Sequence, residues 1–271
     1  MSESSTKVTT YRLLKMKQAG EKKITALAVY DYTTAKLADE SGLDILLVGD
    51  SLGMTMLGYS STVPVTLEQS LHHTAAVARG AERALVIGDM PFMTYQVSTE
   101  KALENAGRYL QEARAHGVKL EGGETIAPLV ERLVKVGIPV LGHIGIQPQS
   151  ILAEGRYRVR GRTDNESEEL IRDAFALQNA GAFAVVLEGI TSELGKRISE
   201  ELTIPTIGIG AGVWCDGQIQ VVHDLLGLSE DRTPKHAKPY AQLGELTREA
   251  FASYIKEVES GAFPAEQHSF E

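Results

Sequence analysis

Cysteine is almost missing from this 271-residue chain: Cys215 is the single one. One thiol cannot form an intrachain disulfide, which argues against a small secreted scaffold held by cross-links. No apolar run approaches the ~18 residues that a membrane-spanning helix needs. The opening MSESSTK has no apolar core of the signal-peptide kind. Lys and Arg form no basic run, and acids outnumber bases 36 to 27, for a formal net charge of −9. Such a chain repels a phosphate backbone, so neither nucleic acid nor membrane is an expected partner. The expectation is a soluble, cytoplasmic protein.

Several catalytic and nucleotide motifs are missing too. The run GIGAG at 208–212 follows a strand-like stretch, but Val213 breaks the GxGxxG dinucleotide pattern. The stretch from Gly189 to Lys196 is one residue too long for a phosphate-binding loop. Arg197 stands where that loop needs Ser or Thr. No GxSxG nucleophile elbow occurs. Charged residues make up 23% of the chain and hydrophobic ones 43%, a globular balance that rules against disorder as the default.

What is present is alternation. Short runs rich in Val, Ile and Leu lie at 24–30, 45–49, 85–88, 118–120, 140–142, 184–187, 206–209 and 219–225. Near-continuous apolarity suits parallel strands buried on both faces. Helix-period stretches separate them. Thr66 and Gln69 form a capping-box pair ahead of Leu67, Leu71 and Ala75, with Gly80 behind. Ser98 opens a helix that Gly117 closes. Ile126, Leu129, Leu133 and Val136 precede Gly137; Leu170, Ile171, Ala174 and Phe175 precede Gly181. Tyr11, Leu14 and Met16 predict an extra N-terminal helix, and Phe251, Tyr254, Ile255 and Val258 a last one. Long loops are expected at 145–166 and 226–242. No linker interrupts the pattern, so residues 1–271 are expected to form one domain. Eight strand–helix units close naturally into a (βα)8 TIM barrel, with an open doubly wound sheet as the competing α/β arrangement.

Four of the apolar runs end in an acid: Asp50 in VGDS, Asp89 in IGDM, Glu121 in KLEG and Glu188 in VLEG. In a barrel, all strand C-termini converge on one mouth. Gathered carboxylates repel, and a divalent cation such as Mg²⁺ relieves that repulsion. The plain alternative is that each acid caps a helix or pairs at the rim. Lys119 and Glu121 are two apart on one strand, so both face the same way. They suit either an anion beside a metal or a simple ion pair. His143, placed just past a strand run, is given a supporting role. Ser51, beside Asp50, offers a hydroxyl for substrate or for a helix cap.

VGDSLGMT at 48–55, DMPF at 89–92, VKLEGGE at 118–124, GHIGIQPQS at 142–150, GIGAG, DGQ at 216–218 and ESGAFPAEQHSF at 259–270 together resemble the ketopantoate hydroxymethyltransferase family. The likeness runs from about residue 9 to the C-terminus; VWC at 213–215 and Met90 depart from it. It implies a (βα)8 barrel acting in pantothenate and coenzyme A biosynthesis as a homo-oligomer, commonly a decamer. It implies Mg²⁺ on Asp50, Asp89 and Glu121, and oxo-acid contacts from Asp50, Ser51, Asp89 and Lys119. Glu188 is implied as the proton acceptor. The implied substrates are 3-methyl-2-oxobutanoate and 5,10-methylenetetrahydrofolate.

Two other functions compete. One is a Mg²⁺-dependent, enolate-forming lyase or mutase of the isocitrate lyase and phosphoenolpyruvate mutase type. It lacks support from Cys215, which sits in no KKCGH-like loop. The other is a non-catalytic binder of an oxo acid, which the intact set of acids plus Lys119 argues against.

Overall fold

The computed structural model describes residues 6–229 and 234–270. Its strands grow from the apolar runs: β1 Ile24–Ala28, β2 Ile45–Val48, β3 Leu85–Asp89, β4 Gly117–Glu121, β5 Val140–Gly145, β6 Ala184–Glu188, β7 Thr206–Ile209 and β8 Gly217–Val221. Consecutive strands pair in parallel, in chain order, and close into a barrel. At the seam, Ile24 N–H donates to the Asp216 carbonyl at 2.9 Å. The open doubly wound sheet is thereby excluded.

The helices are α1 Thr10–Ala19, α2 Tyr32–Glu40, α3 Leu52–Thr55, α4 Leu67–Gly80, α5 Thr99–Gln111, α6 Ala127–Lys135, α7 Ile151–Glu154, α8 Asp164–Asn179, α9 Ser192–Glu201, α10 Val222–Leu226 and α11 Leu243–Ser260. Two compact units divide the chain, Met1–Gln220 and Val221–Glu271. The first holds α1 to α9 and the barrel up to the last residue of β8; the second holds α10 and α11, which ends on Gly261 in the left-handed conformation.

Every residue of β2, β3, β4 and β5 is buried, as strands covered on both faces require. Their side chains sort by parity into two cores. Ile24, Ile45, Leu47, Leu85, Ile87, Leu141, Val186 and Ile207 fill the barrel, with Leu13 of α1 packed among them. Val118, Leu120, Val140, Ile144, Val185 and Leu187 face outward onto the helices.

Four expectations need correction. The run at 219–225 is split: β8 stops at Val221, and α10 follows with Gly227 as its left-handed cap. Its VVHDLL sequence is apolar enough for a strand, yet the cap ends a helical turn. Gly117 does not close α5, which ends at Gln111; it opens β4. His143 lies inside β5 rather than past it. Gly80 is the last residue of α4, in a place where an added Cβ would sit 2.5 Å from the Tyr32 carbonyl oxygen. It permits close helix packing rather than a cap. Of the two expected loops, 145–166 carries α7 and the start of α8, while 226–242 includes residues 230–233, which lie outside the described residues.

Candidate active site

Alternation along the strands builds the site. Inward rows run Leu85–Ile87–Asp89 on β3, Gly117–Lys119–Glu121 on β4, Leu141–His143 on β5 and Ala184–Val186–Glu188 on β6. Each row is apolar or glycine at its base and polar at its C-terminal end. The barrel therefore collects these groups at one mouth. Asp50, two residues past β2, joins them: its backbone N–H donates to Asp89 Oδ2 at 3.1 Å. At the end of β5, Gly145 has φ +100, and a Cβ there would lie 2.1 Å from the Glu188 carbonyl oxygen. Only glycine lets β5 come this close to β6.

Lys119 is the hub. Its Nζ donates to Asp89 Oδ1 and Oδ2, both at 2.9 Å, and to Glu121 Oε1 at 3.2 Å. All four groups, Asp50, Asp89, Lys119 and Glu121, are buried. Three carboxylates face one ammonium, so negative charge is in excess. Burial raises the pKa of Asp89 and of Glu121, against the pull of Lys119, and repulsion from Asp50 adds to both. Burial pulls Lys119 down, but Asp89, Glu121 and Asp50 outweigh it and raise its pKa well above the usual lysine value.

His143 lies between two acids: Nδ1 is 3.6 Å from Glu121 Oε1 and Nε2 is 3.2 Å from Glu188 Oε2. Neither contact meets hydrogen-bond geometry. Burial lowers its pKa to about 4, and Lys119 adds to the effect, so the ring is neutral at neutral pH. Glu188 differs from the other acids in exposure. Its side chain is 20% exposed, against 1% for Asp89 and 2% for Glu121. Ser51 occupies the N-cap position of α3 without capping it; its Oγ instead lies 2.8 Å from the Tyr30 hydroxyl.

All seven expected side chains thus meet at one mouth. The three acids assigned to a metal are, however, held apart by protein donors. Lys119 stands between Asp89 and Glu121, and Gln149 reaches Asp50. Among the described residues, no group of three or more His, Cys, Asp or Glu side chains is arranged to hold a metal ion.

The sequence reading passed over Gln149 and Tyr95. Gln149 lies in the GIQPQS block, where Pro148 opens a short 3₁₀ turn that carries it into the mouth. Tyr95 has no sequence signal: it is one tyrosine in an irregular stretch after β3, and only the fold buries it. A surface depression of about 1190 Å³ lies elsewhere, at the N-terminal ends of the first strands, lined by Lys22, Gly42, Arg83 and His116. It receives helix C-termini and none of the acids above, so chemistry places the site at the mouth instead.

A closed parallel barrel with its acids on the strand C-terminal rim defines the class: a (βα)8 barrel of enzymatic design. Among solved structures, 2,3-dimethylmalate lyase of the PEP mutase/isocitrate lyase superfamily matches with a TM-score of 0.61 at 17% identity, covering 97% of this chain and 92% of that one. A phosphonopyruvate hydrolase complex with oxalate and Mg²⁺ matches with a TM-score of 0.61 at 13% identity, covering 96% and 93%. These likenesses show the fold alone. Within that class, the chain belongs to the ketopantoate hydroxymethyltransferase family, whose sequence model matches residues 7–266. The 3-methyl-2-oxobutanoate hydroxymethyltransferase of Syntrophus aciditrophicus is 54% identical over 264 residues, 97% of each chain. That of Thermoanaerobacter sp. (strain X514) is 51% identical, covering 97% of this chain and 96% of its own. The chain is an enzyme, and hydroxymethyl transfer is its reaction.

Proposed function

We propose that the barrel mouth joins a one-carbon unit to C3 of 3-methyl-2-oxobutanoate, giving ketopantoate for pantothenate biosynthesis. The donor in this reading is 5,10-methylenetetrahydrofolate. The C3–H bond breaks and a bond forms from C3 to the methylene carbon; both bonds from that carbon to folate N5 and N10 break, water supplies the hydroxyl, and the C3 proton and the remaining water proton end on the two folate nitrogens. The four acids divide by environment, and that division carries the proposal. Asp50, Asp89 and Glu121 are buried in a network of donors, while Glu188 is the partly exposed one beside a neutral imidazole. Glu188 is the group placed to take the proton from C3, with His143 supporting it.

The chemistry of the donor set suits Mg²⁺, with Lys119 and Gln149 occupying the acids until an ion displaces them. Asp50, Asp89 and Glu121 offer only hard oxygen ligands, and their charge exceeds that of Lys119. A cation there would compete with Lys119 for Asp89 and Glu121. When bound, Mg²⁺ supplies Lewis-acid polarisation of the 2-oxo acid's carbonyl. Lys119 counters the charge of an incoming carboxylate, which the acids alone would repel. Asp50, Ser51 and Asp89 line the same corner and orient the oxo acid; the Ser51 hydroxyl is held there by Tyr30.

The family match spans both compact units, which supports treating 1–271 as one barrel domain. A homo-oligomer, a decamer as is common in the family, and a cytoplasmic location complete the proposal. A net charge of −9 speaks against a nucleic-acid partner. Among the described residues no helix is long and apolar enough to cross a membrane.

Glu188→Gln tests the assignment of the base. The substitution keeps shape and hydrogen bonding but removes basicity. Oxo-acid binding should stay within about threefold, a working margin below one tenfold step of ~1.4 kcal/mol. Deuterium wash-in at C3, followed by NMR without folate, should fall by at least about a hundredfold. Wash-in at the wild-type rate would remove Glu188 from this role.

A further inference from the structure

We infer that Gln149 is a positioning residue: its side-chain amide, locked in one orientation, sets the Asp50 carboxylate, and its backbone sets Glu121. Gln149 Nε2 donates to Asp50 Oδ2 and to the Met90 carbonyl, both at 3.0 Å. Its Oε1 accepts from the Tyr95 hydroxyl at 2.9 Å. Its backbone N–H donates to Glu121 Oε2 at 3.1 Å. The residue is 4% exposed, as is Tyr95.

Polarity, not size, holds the amide. Its two ends are nearly equal in bulk, so packing alone would allow a flip. After a flip, Oε1 would face Asp50 Oδ2 and the Met90 carbonyl, three acceptors with no proton among them. On the other side, the Tyr95 hydroxyl already accepts from Glu121 N–H at 3.2 Å. Its own proton therefore goes to an acceptor, Gln149 Oε1 or the Glu121 carbonyl at 3.0 Å. A tyrosine hydroxyl keeps its proton at neutral pH. The Asp50 and Met90 side demands N–H, while on the other side the Tyr95 hydroxyl and, at 3.4 Å, Gln96 Nε2 donate to the amide oxygen, so the observed orientation is the one that suits both.

Two clamps then organise the acids, and they share Glu121. Lys119 holds Asp89 and Glu121 Oε1; Gln149 holds Asp50 Oδ2 and Glu121 Oε2. By holding Oδ2, the Gln149 clamp decides how the other oxygen of Asp50 is presented. The inference rests on the proposal that these acids hold Mg²⁺, because orientation of a carboxylate matters most to a ligand that needs near-octahedral geometry. Groups that orient metal-binding carboxylates typically change metal affinity or activity 10- to 100-fold when lost.

Gln149→Met keeps the volume but removes the side-chain donor and acceptor; Tyr95→Phe keeps the ring but removes the hydroxyl. Mg²⁺ dissociation constants by calorimetry, KM and kcat with 3-methyl-2-oxobutanoate, and melting temperatures are measured for both variants and their double. Each single variant should weaken Mg²⁺ binding about tenfold and raise KM for the oxo acid more than it lowers kcat. The double variant should lose less than the product of the two, because Tyr95 acts through Gln149. Should Gln149→Met fail to fold, Tyr95→Phe alone carries the test. Wild-type Mg²⁺ affinity in either folded variant, or full multiplicativity in the double, would overturn the inference. A wild-type protein that binds Mg²⁺ but does not turn over the oxo acid would sink the proposed function and leave this inference to be read from the dissociation constants. A wild-type protein that binds no Mg²⁺ would overturn both.

Discussion

Lys119 shows how one side chain can make a cluster of acids tolerable. Its ammonium contacts both oxygens of Asp89 and one of Glu121 inside a buried mouth. Coulomb attraction there offsets the cost of removing water from three charges. Lys119→Met would fill the same space without charge and leave two buried carboxylates without their cation. In metal-free buffer this should cost about 3–5 kcal/mol of stability, read from urea denaturation. The two acids should also take up protons near neutral pH. A loss below ~1 kcal/mol would mean that Lys119 contributes little to the fold. The acids themselves and Lys119 were legible in the sequence, because each ends or nearly ends an apolar run. Gln149 was not: an uncharged amide in an irregular segment carries no periodicity, and its partners Asp50 and Met90 lie 99 and 59 residues away.

At the scale of the element, local chemistry was most readable where a helix begins. The Thr66 side chain accepts from Gln69 N–H at 3.2 Å, and Gln69 Oε1 accepts from Thr66 N–H at 2.9 Å. Both satisfy amides that α4 cannot bond internally. Thr66→Ala removes one of these bonds at an exposed site and should cost about 1 kcal/mol in urea denaturation, with catalysis unchanged. A change in KM would mean that α4 is coupled to the mouth. Strand ends were less readable. The apolar run of β5 is interrupted by glycines, so His143 looks external, yet ladder pairing to Glu121 and Val186 keeps it inside the sheet. The VVHDLL segment fits either period, and the turn at Gly227 decides for a helix.

At the scale of the molecule, the barrel depends on its seam. Asp216, in the DGQ block, accepts at Oδ2 from Thr206 N–H at 2.8 Å, from the Thr206 hydroxyl at 3.0 Å and from Lys17 Nζ at 2.7 Å. It ties α1, β7 and the entry to β8 together while its own carbonyl bonds β1. Asp216→Ala should destabilise the protein by roughly 2–3 kcal/mol, because it strips partners from a buried N–H and a half-buried ammonium. A melting temperature equal to wild type would show that closure does not need it. From the sequence by itself came the number and order of the strands, most helix starts, and the identity of the charged residues at the strand ends. These depend on periods of two and 3.6 residues and on caps, all within reach of a few neighbours along the chain. Only the tertiary structure decided that the sheet closes, which acids share Lys119, that Glu188 is the exposed one, and that Gln149 clamps Asp50. Those facts depend on contacts between residues tens of positions apart, and hydrophobic periodicity carries no record of which distant polar groups meet.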